Sequence, residues 1–156
     1  MPSSRRGTEA FTIIELMIVV AILGILSSLA TVKYLDYIEK VRVTRSILDI
    51  KSIQTELDSY LAEGGPPPDT LAAVSLARND PWGRPYQYLP LRNAAGAAIN
   101  MGAARKDRFL VPLNDDYDLY SRGKDGLTAT GVSAARSLDD VVRANNGIFI
   151  GLGAHY

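Results

Sequence analysis

The feature that most restricts the fold of this 156-residue chain is a single long apolar run near its N-terminus. Residues 11–32 read FTIIELMIVVAILGILSSLATV, and Glu15 is the one charged residue among them. A helix needs about 20 predominantly apolar residues to span a bilayer, so this run predicts a transmembrane helix. Arg5 and Arg6 precede it. Positive residues on that side predict a cytoplasmic N-terminus, with everything after residue 32 across the membrane.

Three interpretations of the apolar run compete. A removed secretory signal fits poorly, because the run is too long and no small-residue cleavage site precedes a polar mature start. A plain membrane anchor explains the length and the orientation but not Glu15. A carboxylate within a membrane helix costs about 2.5–3.5 kcal/mol on insertion scales, so it normally has a partner and a function. The third interpretation supplies that partner.

The start of the run, Ala10 followed by FTIIEL at residues 11–16, resembles the class III leader of type IV pilin-like proteins. A prepilin peptidase cuts these proteins just before an FTxIEL sequence. The resemblance implies cleavage after Ala10, methylation of the new Phe11 amine, and Glu15 as the acid of the mature N-terminus. Such an amine has a reference pKa of about 7.7–8.0 and is cationic. Two opposite buried charges offset each other's desolvation, so we expect Glu15 to bind the Phe11 amine of an adjacent subunit and set the filament register.

Two positions depart from the family pattern. The residue before the cut is usually Gly, and here it is Ala10. Cleavage after Gly7 would leave three extra residues and spoil the spacing to Glu15, so Ala10 is the preferred site. Val32 stands where pilins commonly carry a helix-kinking proline, which leaves Gly24 as the weak point of the helix.

Residues 33–63 predict an amphipathic continuation of the helix. They lack Gly and Pro, and their apolar residues fall mainly three and four apart, at Tyr34, Ile38, Val41, Leu48, Ile50, Ile53, Leu57, Tyr60 and Leu61. The GGPPP segment at residues 64–68 ends the helix. A helix over residues 11–62 is roughly 75–80 Å long at 1.5 Å per residue. We expect its second half to pack on a head domain rather than to form a coiled coil or lie on a membrane surface.

The rest of the chain predicts a small head with an antiparallel sheet. We expect a short helix at residues 69–77 with Asp69 or Thr70 as its cap, a type I turn at Asp80-Pro81-Trp82-Gly83, and a loop at residues 93–104. Strands are expected at residues 86–91, 108–113 and 117–121, the last two forming a meander around residues 114–116. The predicted fold class is α+β, and its organisation is a leader (1–10), a transmembrane and filament-core helix (11–32), an amphipathic helix (33–63) and a head with a C-terminal loop (64–156).

Two head motifs carry a more selective resemblance. DPWGRPYQY at residues 80–88 and YDLYSRGKDG at residues 117–126 are similar to DPWGxPYxY and YDLYSxGxDG of the major pseudopilins of type II secretion systems. The resemblance implies a pilin-like subunit of a periplasmic pseudopilus, polymerised at the inner membrane to promote export of folded proteins. The implied partners are further copies of the chain, minor pseudopilins, an inner-membrane assembly platform and the prepilin peptidase. A surface type IV pilin for adhesion, motility or DNA uptake is the alternative.

The same resemblance implies a calcium site. Major pseudopilins bind calcium through the Asp of SxGxDG, a nearby carbonyl and later acids, which here implicates Asp125, the Arg122 carbonyl, and Asp139 or Asp140. Calcium takes six to eight oxygen ligands from a flexible loop. From the residues alone, a turn at Asp125 and a helix cap at Asp139 and Asp140 explain the same acids. Both interpretations remain open.

Composition argues against an enzyme or a nucleic-acid-binding protein. The chain has no cysteine, and its one histidine, His155, is the penultimate residue. The formal net charge is zero, which offers no general attraction to nucleic acid. We expect Asp115, Asp116 and Asp118 to be turn residues, because no nucleophile or complementary group accompanies them. The aromatic residues of the head, Trp82, Tyr86, Tyr88, Tyr117 and Tyr120, are expected in the core.

Overall fold

A 50-residue helix, α1, runs from Ile13 to Ala62 in the computed structural model of the chain. The structure describes residues 11–156, with the side chains of residues 29, 30 and 32 set aside; the expected leader and Ala10 lie outside the described residues. The chain divides into two units at Glu39 and Lys40. The predicted helix is confirmed, and it ends just before Gly64, whose φ of 89° favours glycine.

The head contains a four-stranded antiparallel sheet in the order β1-β2-β3-β4. The strands are β1 (Gln87–Pro90), β2 (Tyr117–Ser121), β3 (Val141–Ala144) and β4 (Phe149–Leu152). In register, Gln87 faces Tyr120, Tyr120 faces Val142, and Val142 faces Gly151. Pro90 ends the edge strand, where its missing N–H costs no ladder hydrogen bond. Together with α1, this sheet confirms the α+β, pilin-like fold class.

The strand predicted at residues 108–113 is wrong. These residues form bends rather than a strand, and Phe109 is 93% exposed. β2 therefore pairs with β1 on one side and with β3 on the other, rather than with a preceding strand. A short apolar run next to a turn predicted a strand here, but of its large apolar residues only Leu113 is buried, while Phe109, Leu110 and Val111 are exposed.

The β3–β4 hairpin was absent from the sequence prediction, which left the C-terminal segment as a loop. Its turn, Asn145–Gly147, has the short-range hydrogen bonding of a 3₁₀ helix but left-handed backbone angles. Asn145, Asn146 and Gly147 have φ angles of 53°, 54° and 89°, a region that Asn and Gly adopt more easily than other residues. The Asn-Gly dipeptide between two apolar runs is a hairpin signal and could have revealed this element.

The core of the head lies between the sheet and one face of α1. Ile50, Ile53 and Leu57 are fully buried there, against a cluster that includes Tyr86, Tyr117, Leu119 and Val141. Leu48 was also predicted for this face, but it is 60% exposed. Helical residues lie about 100° apart, so Leu48 is about 200° from Ile50 and faces the other side. Val41, nine positions before Ile50, is exposed for the same reason.

The short helix predicted at residues 69–77 is a single turn of 3₁₀ helix, Leu71–Val74. Thr70 occupies its N-cap position as expected, although its side chain makes no capping hydrogen bond. Ser75 ends the turn in the left-handed region at φ 59°, and this stops the helix well before residue 77.

Candidate functional site

The N-terminus of α1 is closed by a reciprocal pair of side chains. The backbone N–H and the hydroxyl of Thr12 each donate to Glu15 Oε2 at 2.9 Å, and the Glu15 N–H donates to Thr12 Oγ1 at 3.2 Å. This is a capping box, which satisfies two N–H groups that a helix start leaves without partners. From the sequence, only an intermolecular role was expected for Glu15. The T-x-x-E spacing before an apolar run could have revealed this second role.

Apolar side chains are exposed along the first unit, the part of the chain that ends at Glu39. Large hydrophobic residues from Phe11 to Leu26 are exposed, Phe11 to 83% and Ile13 to 81%. The helix is long and apolar enough to cross a membrane. A continuous apolar surface of this extent marks contact with lipid or with other protein. The proposed cleavage between Ala10 and Phe11 stays a prediction, since Ala10 lies outside the described residues.

In the head, the carboxylate of Asp80 joins the two sequence motifs. Asp80 is 5% exposed. Its Oδ1 accepts the backbone N–H groups of Trp82 at 3.1 Å and Arg84 at 2.8 Å, which fixes the DPWG turn. Its Oδ2 accepts the hydroxyl of Ser121 at 2.5 Å, at the end of β2. The Ser121 Oγ in turn accepts the Gly123 N–H at 3.1 Å, so the turn, the strand and the following loop form one connected group.

The guanidinium of Arg84 lies against the loop that follows β2. Its Nη1 donates to the Gly123 carbonyl at 2.7 Å and its Nη2 to the Lys124 carbonyl at 3.3 Å. Gly126, at φ 74°, lies directly on this guanidinium, which occupies the space that a Cβ would need. Gly123, at φ 60°, is packed equally closely on the Asp139 carbonyl. Both positions favour glycine by backbone angle, and at Gly123 the contact with the Asp139 backbone also excludes a side chain.

Three of the residues predicted to bind calcium lie together. The Asp125 N–H donates to Asp139 Oδ2 at 2.9 Å, and Asp125 Oδ1 accepts the Leu127 N–H at 2.7 Å. The Arg122 carbonyl accepts the Gly126 N–H at 3.2 Å. Asp125 thus acts as a turn acceptor, as the alternative interpretation expected, whereas the helix cap expected at Asp139 is wrong, since Asp139 accepts a loop N–H.

The fourth, Asp140, points away from them into the protein. Its Oδ2 accepts Arg105 Nη2 at 2.7 Å and the Thr128 hydroxyl at 2.6 Å. The side chain of Arg105 is 3% exposed and that of Asp140 is 0% exposed. Burial raises the pKa of Asp140, and the hydrogen bonds from Thr128 and Arg105 partly oppose this. Within residues 11–156, no three His, Cys, Asp or Glu side chains converge as a metal-binding group. The calcium site stays a prediction.

A buried arginine of β3 is a further residue that the sequence analysis missed. Arg143 is 2% exposed and donates to both carboxylate oxygens of Asp116, at 2.8 and 2.7 Å. It also donates to Gln54 Oε1 of α1 at 3.1 Å and to the Tyr117 carbonyl at 3.0 Å, and lies 4.0 Å from the centre of the Tyr117 ring. A charged residue inside the apolar run VVRA was the signal. Asp116 is therefore an ion-pair partner and not a simple turn residue.

Asp118 also departs from the prediction of a turn residue. It lies in β2 and is fully buried. Its carboxylate accepts the Arg105 N–H at 2.6 Å and the Asn114 side-chain amide at 2.9 Å. Burial raises the pKa of Asp118, and these two hydrogen bonds lower it in part. The acid thus holds the loop between β1 and β2 against the sheet at two points.

The aromatic residues of the head join the sheet to α1. Tyr86 and Tyr117 are buried, which confirms the core prediction for both. The Tyr86 hydroxyl donates to Asp49 at 3.1 Å, and the Tyr117 hydroxyl donates to Asp58 at 3.0 Å. Burial raises the pKa of both tyrosines. Each aromatic ring is thus anchored to the helix by its polar end.

The chain resembles known proteins at two scales. A family model described as the prokaryotic N-terminal methylation motif matches residues 5–31. The type II secretion system core protein G of Pseudomonas aeruginosa is 31% identical over 144 residues, which cover 78% of this chain and 87% of that protein. The type IV major fimbrial protein FimA of Dichelobacter nodosus is 32% identical over 139 residues, covering 88% of this chain and 80% of the relative.

A shorter match joins the chain to a fimbrial protein of Pseudomonas aeruginosa. The two are 42% identical over 59 residues, 38% of each chain. This match therefore spans well under two thirds of the fimbrial protein's length. No solved structure matches the chain.

Proposed function

The chain belongs to the type IV pilin-like superfamily, and on that premise we propose that it is the major pseudopilin of a type II secretion system. Pilins and pseudopilins are structural subunits and not enzymes, so the chain acts by assembling with copies of itself. In this proposal its filament forms at the inner membrane, extends into the periplasm and promotes the export of folded proteins.

The observation that carries the choice of a pseudopilin is the contact between the two head motifs. The DPWG turn and the YDLYS strand resemble major pseudopilins in sequence, and Asp80 bonds both of them through one buried carboxylate. β1 and β2, which the motifs contribute, are also adjacent in the sheet. The similarity to core protein G over 87% of that protein's length adds support.

The N-terminal segment supports the assembly step. The Thr12 N–H donates to Glu15 Oε2 at 2.9 Å. The Glu15 carboxylate therefore binds the backbone of the residue that directly follows Phe11. After cleavage behind Ala10 by a prepilin peptidase, the Phe11 amine is a cation at the tip of the helix. Glu15 and the amine of a neighbouring copy then offset each other's burial as the apolar helices bundle. Minor pseudopilins and an inner-membrane platform complete the proposed set of partners.

A surface type IV pilin is the second candidate. The relative that favours it is the major fimbrial protein of Dichelobacter nodosus, whose identity and coverage are close to those of core protein G. The two candidates share the anchor and the assembly chemistry, so they differ in the destination of the filament.

A deletion of the gene in its own bacterium separates the two. We expect exported proteins to accumulate in the periplasm while surface fibres remain, and the full-length gene to restore secretion when supplied in trans. A Glu15→Ala copy is the matched control and should not restore secretion. Loss of surface fibres with normal secretion would refute the pseudopilin assignment in favour of the surface pilin.

A further inference from the structure

The loop of residues 121–140 is where the family resemblance places calcium, and its acids do not fit that role in this chain. The buried Asp140 uses Oδ2 for Arg105 and Thr128. Its other oxygen, Oδ1, is buried without a hydrogen bond in the described structure, but the guanidinium beside it would repel a metal ion. Asp125 and Asp139 use one oxygen each for backbone N–H groups of the same loop. Calcium requires six to eight oxygens directed at one point.

Protein cations already bind the acceptors at both ends of this loop. At its start, Arg84 donates to the carbonyls of Gly123 and Lys124, at 2.7 and 3.3 Å. At its end, Arg105 donates to the carboxylate of Asp140 at 2.7 Å. Arg105 also donates to the Thr128 hydroxyl at 2.9 Å, in the middle of the loop.

The backbone of the loop is shaped around the first of these arginines. A side chain at Gly126 would occupy the position of the Arg84 guanidinium, so the glycine leaves room for that group. Asp80 accepts the backbone N–H of Arg84 at 2.8 Å, which fixes the backbone from which the guanidinium extends. A planar group with five donors can satisfy several loop acceptors at once, which is what a bound cation would do.

We propose that Arg84 and Arg105 close the loop of residues 121–140 in place of a divalent cation, and that the head folds and assembles without calcium. Each arginine supplies the positive charge and the directed contacts at one end of the loop. The inference concerns the stability of the head, so it stands whether the filament serves secretion or the cell surface.

The first test uses the full-length chain in detergent micelles. Its thermal unfolding is followed by near-ultraviolet circular dichroism, once with a calcium chelator and once with millimolar calcium chloride. We expect the same unfolding midpoint in both and no saturable heat when calcium is titrated into the chelator-treated protein. A midpoint raised by calcium, or saturable calcium binding, would overturn the proposal.

The second test changes the arginine. Arg84→Ala should lower the midpoint by roughly 5–10 °C in both calcium and chelator. Arg84→Lys keeps one point charge but loses the planar fork, so its midpoint should lie between those of wild type and Arg84→Ala. Arg136→Ala is the matched control, because Arg136 is an exposed arginine of the same loop. If Arg84→Ala and Arg136→Ala melt alike, Arg84 does not close the loop and the proposal fails.

Discussion

Replacing Arg143 by methionine tests whether one buried guanidinium joins helix, sheet and loop in the head. Arg143→Met keeps an unbranched side chain over the Tyr117 ring but removes all the donors. Asp116 then loses two hydrogen bonds, and Gln54 on α1 loses one. The Tyr117 carbonyl, which is buried with its residue, loses its bond to the guanidinium.

The expected loss of stability follows from what the change leaves behind. Removing one partner of a buried ion pair costs about 3–5 kcal/mol, because the other charge stays uncompensated. The Asp116 side chain is 36% exposed and can regain water, which favours the lower end of that range. We therefore expect a decrease of about 3 kcal/mol in the free energy of unfolding. At about 4 °C per kcal/mol for a unit of this size, the midpoint falls by roughly 12 °C.

Urea unfolding of the full-length protein in micelles, followed by near-ultraviolet circular dichroism, measures this loss. Arg136→Met is the control, because it makes the same substitution at an exposed position. The double variant Arg143→Met with Asp116→Asn should lose less than the sum of the two single variants, since the pair acts as a unit. The reasoning would be refuted if Arg143→Met and the control had equal urea midpoints. It would also be refuted if the losses in free energy of unfolding were additive in the double variant.

Three further predictions concern processing, assembly and pH. Intact-mass analysis of the membrane form should show a species that begins at a methylated Phe11, and one that begins at Thr8 would contradict the cleavage site. Glu15→Ala should stay in the membrane fraction yet form few filaments by electron microscopy, whereas a wild-type filament yield would contradict the proposed contact. Because burial raises the pKa of Tyr86 and Tyr117, their stabilising effect is complete below the unfolded value of about 10 and is lost as pH rises towards the folded values. Stability measured by urea unfolding alongside absorbance at 295 nm should fall steadily as pH rises above about 10, and a flat stability in that range would exclude this effect.

The sequence was sufficient for α1 because its signals are local and repeated. Its apolar run and its three-and-four spacing predicted the helix, and GGPPP predicted its end. Sheet pairing depends on contacts between distant residues, and there the prediction was weaker. Residues 108–113 have the composition of a strand but pair with no strand of the described sheet. The β3–β4 hairpin carries an arginine in its first strand and lacks the expected apolar alternation.

The polar core of the head was harder still to predict. Arg105 lies in a basic stretch that reads as solvent-exposed, and its burial depends on Asp140, 35 positions away. Arg143 can be buried because its guanidinium donates hydrogen bonds to Asp116 in a loop and to Gln54 on α1. The propensities of single residues do not predict such contacts between residues that are distant in the chain. By contrast, the capping box of Glu15 was readable from a four-residue spacing.

That capping box has a consequence for how subunits join and leave a filament. Glu15 reaches the growing end with its carboxylate already bonded to the N–H and hydroxyl of Thr12. Binding the amine of a neighbour therefore exchanges one set of partners for another, and an exchange of hydrogen bonds yields a far smaller net free energy than the bonds themselves. The proposed register contact can then select the right axial position without trapping a subunit there. A departing subunit recovers its own cap, which keeps assembly reversible.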